Sequence, residues 1–361
     1  MADFRRYAIV GCGMMGREHM QNLALVDGAK LVAIADPDAQ SIAASTSLAQ
    51  QTGQDIRCFG DTAEMLTQEK PDAVIIASPN HTHFDVVQEV MSHEVAILLE
   101  KPMCTMIEDA QQLVALEQVY KPLFWVGLEY RYMPPVARFV ERVQSHETGA
   151  VKMLSIREHR FPFLTKVGDW NRFSRNTGGT LVEKCCHFFD LMRHILKDEP
   201  VRVFASGGQD VNHLDERYDG ETPDILDNAY VLVDFASGAR AILDLCMFAE
   251  GSEQQEEIYA LGANGKLDVK IPAAEVTWSP RDKSGVHVEQ VATPKAALSA
   301  GDHHGATFFQ LTEFHRALTG GLDAKVSALD GLRSVQMGVA AHQSIETGLP
   351  VSLDFSQSQE R

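Results

Sequence analysis

Tyr7-Ala8-Ile9-Val10-Gly11-Cys12-Gly13-Met14-Met15-Gly16 is the stretch that decides the fold. The first four residues read as a buried strand, and the glycines then turn the chain with G-x-G-x-x-G spacing. Met15, His19, Leu23 and Val26 recur at helical intervals until Asp27-Gly28 breaks the pattern. Each glycine has a mechanical reason to be there. Gly11 makes the tight turn, Gly13 lets the backbone come close to a pyrophosphate, and Gly16 lets helix and strand pack closely. The helix start, at Met14 and Met15, then offers free N–H groups to phosphate oxygens. A second apolar strand, Lys30 to Ala35, ends at Asp36-Pro37, about 20 residues past the turn. Asp36 would accept hydrogen bonds from an adenosine ribose diol and repel a 2′-phosphate, which favours NAD over NADP; a cation such as Arg57 beside that site would reverse the preference.

Outward from this unit, strands and helices keep alternating. Ala39 to Gln51 is an alanine-rich helix, Asp72 to Ala77 and Val95 to Leu99 are continuous apolar strands, and Phe84 to Ser92 between them is helical. After Glu100-Lys101-Pro102 a helix runs through Ile107, Ala110, Leu113 and Val119, followed by a strand at Leu123 to Val126. This is the pattern of right-handed βαβ units on a parallel sheet. A dinucleotide-binding Rossmann domain over residues 1–125 and a second domain over 126–361 are therefore expected. In the second part the strands lengthen and alternate: Val151 to Arg157, Val201 to Ser206, Asn228 to Phe235, Ala239 to Phe248, Glu256 to Gly262 and Gly265 to Ile271. Hairpin signals at Ser237-Gly238 and Asn264-Gly265 predict a largely antiparallel sheet, so this domain is α+β within an α/β chain. Helical stripes return at Phe308, Leu311, Phe314 and Leu318, and at Leu332, Val335, Val339 and His342, and the tail Ser356 to Arg361 reads as frayed.

Composition removes several function classes. With 361 residues, 45% hydrophobic and 23% charged, the chain can bury two cores. A net charge of −18 argues against nucleic acid as a partner, because no phosphate-neutralising surplus exists. No apolar run is long enough to span a bilayer and the opening lacks a signal-peptide core, so no membrane partner and a cytoplasmic location are expected. The six cysteines have no framework spacing and read as reduced thiols.

Three further stretches carry a resemblance: Ala77-Ser78-Pro79-Asn80-His81-Thr82-His83, Glu100-Lys101-Pro102, and Gly178-Gly179-Thr180-Leu181-Val182-Glu183-Lys184-Cys185-Cys186-His187-Phe188-Phe189-Asp190. With the glycine turn they make the chain similar, over essentially its whole length, to the Gfo/Idh/MocA oxidoreductases, which include glucose-fructose oxidoreductase and inositol dehydrogenases. The resemblance implies a C-terminal domain with a large open sheet that supports the substrate pocket and often the oligomer, here a homo-oligomer such as a dimer or tetramer. It implies that Lys101 contacts the substrate hydroxyl and that Glu183 and His187 complete the catalytic site. It also places Ser78, Asn80, His83, Glu100 and Lys101 beside the cofactor. Two departures stand out: the family's usual motif has Asp where Glu183 stands and Gly where Cys185 stands, and Lys184 adds an unexpected charge.

The residue types suit that chemistry. Oxidising a secondary alcohol needs a base for the hydroxyl proton, and a histidine titrates in the working range, which fits His187. Glu183, four residues earlier on a helix, would share its face and orient the imidazole, and Lys101 would stabilise a developing alkoxide. On spacing alone, the Glu/His pair equally describes a solvated helix face and Lys101 a strand end. Cys185-Cys186-His187 suggests zinc, but adjacent residues rarely converge on one ion, so no metal is expected and small-residue packing is the reading. Tyr130, Arg131, Trp170, Arg172, His303 and His304 are candidate holders of sugar hydroxyls, and equally ordinary surface. The expected function is NAD-dependent hydride transfer at a secondary hydroxyl of a sugar, inositol or glycoside. The alternatives are an NAD-retaining enzyme that cleaves glycosides through transient oxidation and a non-catalytic NAD-sensing regulator.

Overall fold

In the computed structural model, residues 4–301 and 303–355 are described. The frayed tail expected at 356–361 lies outside them. The chain forms two compact units: one extends to Tyr132 and adds Lys166–Trp170 and Thr293–Val335; the other comprises Met133–Thr165, Asn171–Ala292 and the chain from Gln336 onward. This division is not the single cut at 125/126 drawn from the sequence. The segment carrying the Phe308 stripe returns to the first unit before the last strand of the second sheet is added.

The first unit is built on six strands: β1 (Arg5–Val10), β2 (Ala29–Ala35), β3 (Arg57–Phe59), β4 (Ala73–Ile76), β5 (Ala96–Glu100) and β6 (Phe124–Gly127). Their spatial order is 3-2-1-4-5-6 and every pairing is parallel. The order reverses between β1 and β4, and open α/β sheets bind ligands at such a switch, off the carboxyl ends of the strands. β4, β5 and β6 are buried throughout, as expected of strands covered on both faces. The sequence reading missed β3 and the helix Thr62–Glu69; three strand residues and two turns of mostly polar helix carry too little periodicity to be seen.

The second unit holds nine strands, β7 (Val151–His159), β8 (Pro200–Gly208), β9 (Asn228–Phe235), β10 (Arg240–Cys246), β11 (Glu256–Gly262), β12 (Gly265–Ile271), β13 (Glu275–Pro280), β14 (His287–Gln290) and β15 (Val351–Ser352). Their order is 14-13-12-11-7-10-9-8-15, and only β7 and β10 run parallel. The predicted antiparallel character is therefore found, with β13, β14 and β15 as additional strands. Residues of β7, β9 and β10 alternate between buried and partly or fully exposed, so one face is a core and the other stays open. Helices Pro134–Gln144 and Cys186–Leu196 pack on the covered face. Among the described residues no helix is long and apolar enough to cross a membrane.

Candidate active site

The glycine turn is built as its spacing requires. Gly11 has φ of +90°, and a Cβ there would lie 2.5 Å from the Ala77 backbone. A Cβ on Gly16 would meet the Gly11 carbonyl oxygen at 2.0 Å, whereas one on Gly13 would meet nothing within 4 Å. The first and third glycines thus close the turn, and the second leaves a bare edge. Gly13 starts helix Met14–Leu23 with no side-chain cap and no acidic residue in the first turn, so its N–H groups and dipole can serve an anion. Arg17 Nη1 donates to the Cys12 carbonyl at 2.8 Å. Asp36, at the end of β2, accepts from Cys12 N at 2.6 Å and from Asp38 N at 2.8 Å. Each oxygen keeps a lone pair for a ribose hydroxyl.

Beyond β4, the Ser78 hydroxyl accepts from Thr82 Oγ1 at 2.9 Å. Asn80 is buried, and its Nδ2 has no hydrogen-bond partner among the described residues, an amide donor awaiting an acceptor. His83 is fully buried rather than turned toward a ligand: Nδ1 lies 2.8 Å from Pro102 O and Nε2 3.0 Å from Ser78 O. Burial pushes its pKa down. The ring ties the loop after β4 to the loop after β5.

Glu100 and Lys101 stand at the carboxyl end of β5. Lys101 is half-buried and Glu100 buried. Glu100 Oε1 accepts from His19 Nε2 at 2.7 Å and Oε2 from Lys101 N at 3.1 Å. Burial works against both charges, but the mutual hydrogen bond prevails, raising His19 and lowering Glu100. Further candidates lie in the same unit. Tyr130 is buried with its ring 6.5 Å from the His303 ring, and His303 Nδ1 lies 2.8 Å from Glu18 Oε1. Arg131 is already bonded to Lys325 O at 3.1 Å and paired with Asp330 at 3.3 Å. Trp170 packs against His81, with Lys166 Nζ 4.4 Å from its ring centre. His304 takes a left-handed turn, φ 53°.

In the second unit, Glu183 ends the short helix Thr180–Glu183, and His187 lies in helix Cys186–Leu196. The single helix expected for the pair is interrupted at Lys184-Cys185. At the interruption the Cys186 thiol lies 3.5 Å from the Glu183 carbonyl, and Lys184 Nζ lies 2.9 Å from Glu158 Oε1 of β7. Both Glu183 and His187 are almost fully buried, as are Cys185, Cys186 and Asp190. Gly179, φ +83°, has no room for a side chain because a Cβ would sit 2.4 Å from His342 Nε2. That nitrogen accepts from Leu181 N at 3.1 Å, and burial pushes the His342 pKa down to about 4, so the ring is a neutral acceptor at the start of the helix. Arg172 is buried and paired with Glu216 at 2.9 Å; its guanidinium is part of the scaffold.

Sequence comparison adds to this geometry. The profile of the oxidoreductase family with an NAD-binding Rossmann fold matches residues 5–128, and that of the same family's C-terminal alpha/beta domain matches residues 140–353. The chain belongs to the Gfo/Idh/MocA oxidoreductase family. Among similar members, the scyllo-inositol 2-dehydrogenase (NAD(+)) of Bacillus subtilis is 26% identical, over 98% of this chain and 97% of its own. The myo-inositol 2-dehydrogenase of Thermotoga maritima is 24% identical over 97% and 98%. A levoglucosan dehydrogenase solved with NADH and levoglucosan shares the fold, with a TM-score of 0.83 at 18% identity over 96% of this chain and 99% of that one.

This Gfo/Idh/MocA protein is thus an NAD-binding oxidoreductase, and its own residues fit the dinucleotide: the bare edge at Gly13, the uncapped helix start, the Asp36 carboxylate and the Asn80 amide. The sequence reading missed His19, Glu18, Glu129, Thr307, Glu158, Glu256 and His342. Only His19 and His342 left a trace, each a polar residue on an otherwise apolar helical stripe.

Proposed function

We propose that this oxidoreductase transfers hydride between NAD and a secondary hydroxyl-bearing carbon of an inositol, sugar or glycoside. When bound, the nicotinamide supplies the hydride acceptor or donor. Lys101 hydrogen-bonds the reacting oxygen and stabilises its developing negative charge. His187 takes the hydroxyl proton, and Glu183 holds the imidazole and favours its protonated form. The observation that carries this reading is the position of Lys101 at the carboxyl end of β5 in an NAD-binding sheet, where substrates of open α/β sheets meet the cofactor. Inositol dehydrogenases among its full-length relatives support the substrate class.

The test is a panel of inositols, sugars and glycosides with NAD and NADP, followed at the nicotinamide absorbance. Turnover with NAD is expected, and Lys101→Ala should lower kcat by about a hundredfold or more while leaving the fold intact. Sugar release from a glycoside without net NADH would replace this reading with transient oxidation. NAD binding with no turnover on any member would leave a sensor. A second copy of the chain is the proposed partner: Phe204, Tyr230, Leu232 and Ile242 lie exposed on the open sheet face, an apolar area suited to a self-complementary contact.

A further inference from the structure

We infer that His19 and Glu100 are positioning residues for Lys101, holding the first peptide beyond β5 in the orientation that aims its ammonium; this rests on the proposed role of Lys101. The geometry is direct. His19 is on the second turn of the helix that starts at Gly13, and its Nε2 donates to Glu100 Oε1 at 2.7 Å. The other Glu100 oxygen turns back to accept Lys101 N at 3.1 Å. The dinucleotide helix and the strand tip are joined through one carboxylate. His19 is fully buried and Glu100 nearly so.

A buried ion pair is a poor way to gain stability, because desolvation consumes most of the Coulombic gain and an apolar pair of similar volume often does as well. What an apolar pair cannot do is bond the Lys101 amide. The surroundings are arranged to keep this pair charged. Thr307 Oγ1 lies 2.8 Å from Glu18 Oε1 and 2.6 Å from Glu129 Oε2. One hydroxyl proton satisfies one carboxylate, so the other contact needs a proton on a carboxyl group. Glu18 already accepts from His303 Nδ1 at 2.8 Å, and the proton therefore belongs to Glu129. Burial, working against the pull of His303, raises the Glu129 pKa in the same sense. With Glu129 neutral, the Glu100 carboxylate paired with His19 remains available to the Lys101 amide.

The experiment uses the full chain with His19→Leu, His19→Gln and Glu100→Gln, each checked by thermal melting. NAD affinity is read from quenching of protein fluorescence, and kcat and KM from the substrate found in the panel. His19→Leu should lower kcat by about tenfold or more while NAD affinity and KM stay within about threefold. His19→Gln, whose amide can donate to Glu100, should recover most of that loss. A readout independent of turnover is the rate at which acetic anhydride labels Lys101, measured by peptide mass spectrometry against the other lysines. It should change by about threefold or more in His19→Leu and return in His19→Gln. Unaltered Lys101 labelling in folded His19→Leu overturns the inference, as does equal loss of NAD affinity and kcat in the Leu and Gln variants. If His19→Leu fails to fold, Glu100→Gln is read by the same two measurements and decides in the same way. Failure of the functional reading is separately visible, as wild-type protein that turns over nothing while the labelling result still stands.

Discussion

Each unit buries a cluster of charged groups, and the two solve the problem differently. In the first unit, His19 and His303 approach carboxylates from a helix and a loop, and Thr307 bridges Glu18 Oε1, which His303 also contacts, and Glu129 Oε2. In the second, the β7/β11 register places Glu158 directly opposite Glu256, two like groups on neighbouring strands, which is unfavourable when both are ionised. Glu158 Oε1 takes Lys184 at 2.9 Å and Arg160 at 3.3 Å, and Glu256 Oε1 takes Gln255 Nε2 at 2.8 Å. Oε2 of each is buried without a protein donor among the described residues. The lesson concerns backbone geometry: helices and loops can deliver donors one at a time, whereas a ladder fixes which side chains face each other; in both clusters a proton on a carboxyl group makes up the deficit.

The most damaging way to test that contrast is to remove the lysine. Lys184→Met leaves Glu158 buried with Arg160 as its remaining ion-pair partner, and breaking a buried pair costs about 3–5 kcal/mol. The denaturant midpoint should fall accordingly. Glu158→Gln in the same chain should restore part of the loss, because it removes the stranded charge. A Lys184→Met unfolding free energy within about 1 kcal/mol of wild type would mean that the sheet cluster does not depend on its cation.

A smaller effect, in pH dependence, separates the clusters further. Burial first, and the charge of Glu158 second, push the Glu256 pKa from 4.5 up to about 8. Between those values the folded chain binds more protons than the unfolded one. The stabilising contribution of the neutral acid is therefore full below pH 4.5 and fades as pH climbs toward 8. Glu256→Gln keeps a neutral group there and should remove that decline, measured as unfolding free energy across pH 5 to about 8. An unchanged slope would show that the shared proton is not on this pair.

How far these features could be read from sequence follows from the same contrast. The glycine turn, Asp36, Lys101 and the strands around them are legible because their signals are local: spacing, a strand tip, a period of two or 3.6. Arg131 and Arg172 are candidates on residue type and His83 through the resemblance, yet each is bound to its own scaffold through residues far along the chain, Lys325, Glu216 and Pro102. Lys184 could be noticed only as an oddity, since its partner Glu158 precedes it by a helix and a loop. The return of Thr293–Val335 to the first unit is likewise invisible to any local pattern.

The smallest expected effect sits in the first unit and tests its proton count. If Glu129 carries the proton shared with Thr307, Glu129→Gln replaces one neutral donor by another. Its unfolding free energy at pH 7 should then lie within about 0.5 kcal/mol of wild type. Glu129 has its pKa raised, chiefly by burial, so the wild type loses this contribution as pH rises through the folded value, and the variant should not. Glu18→Gln is the contrasting substitution, because it strips the charge bonded to His303, and loss of a charge-assisted bond costs about 1.5–3 kcal/mol. Equal costs for the two would place the proton on either carboxyl indifferently. A larger cost for Glu129→Gln would reverse the assignment and place the proton on Glu18.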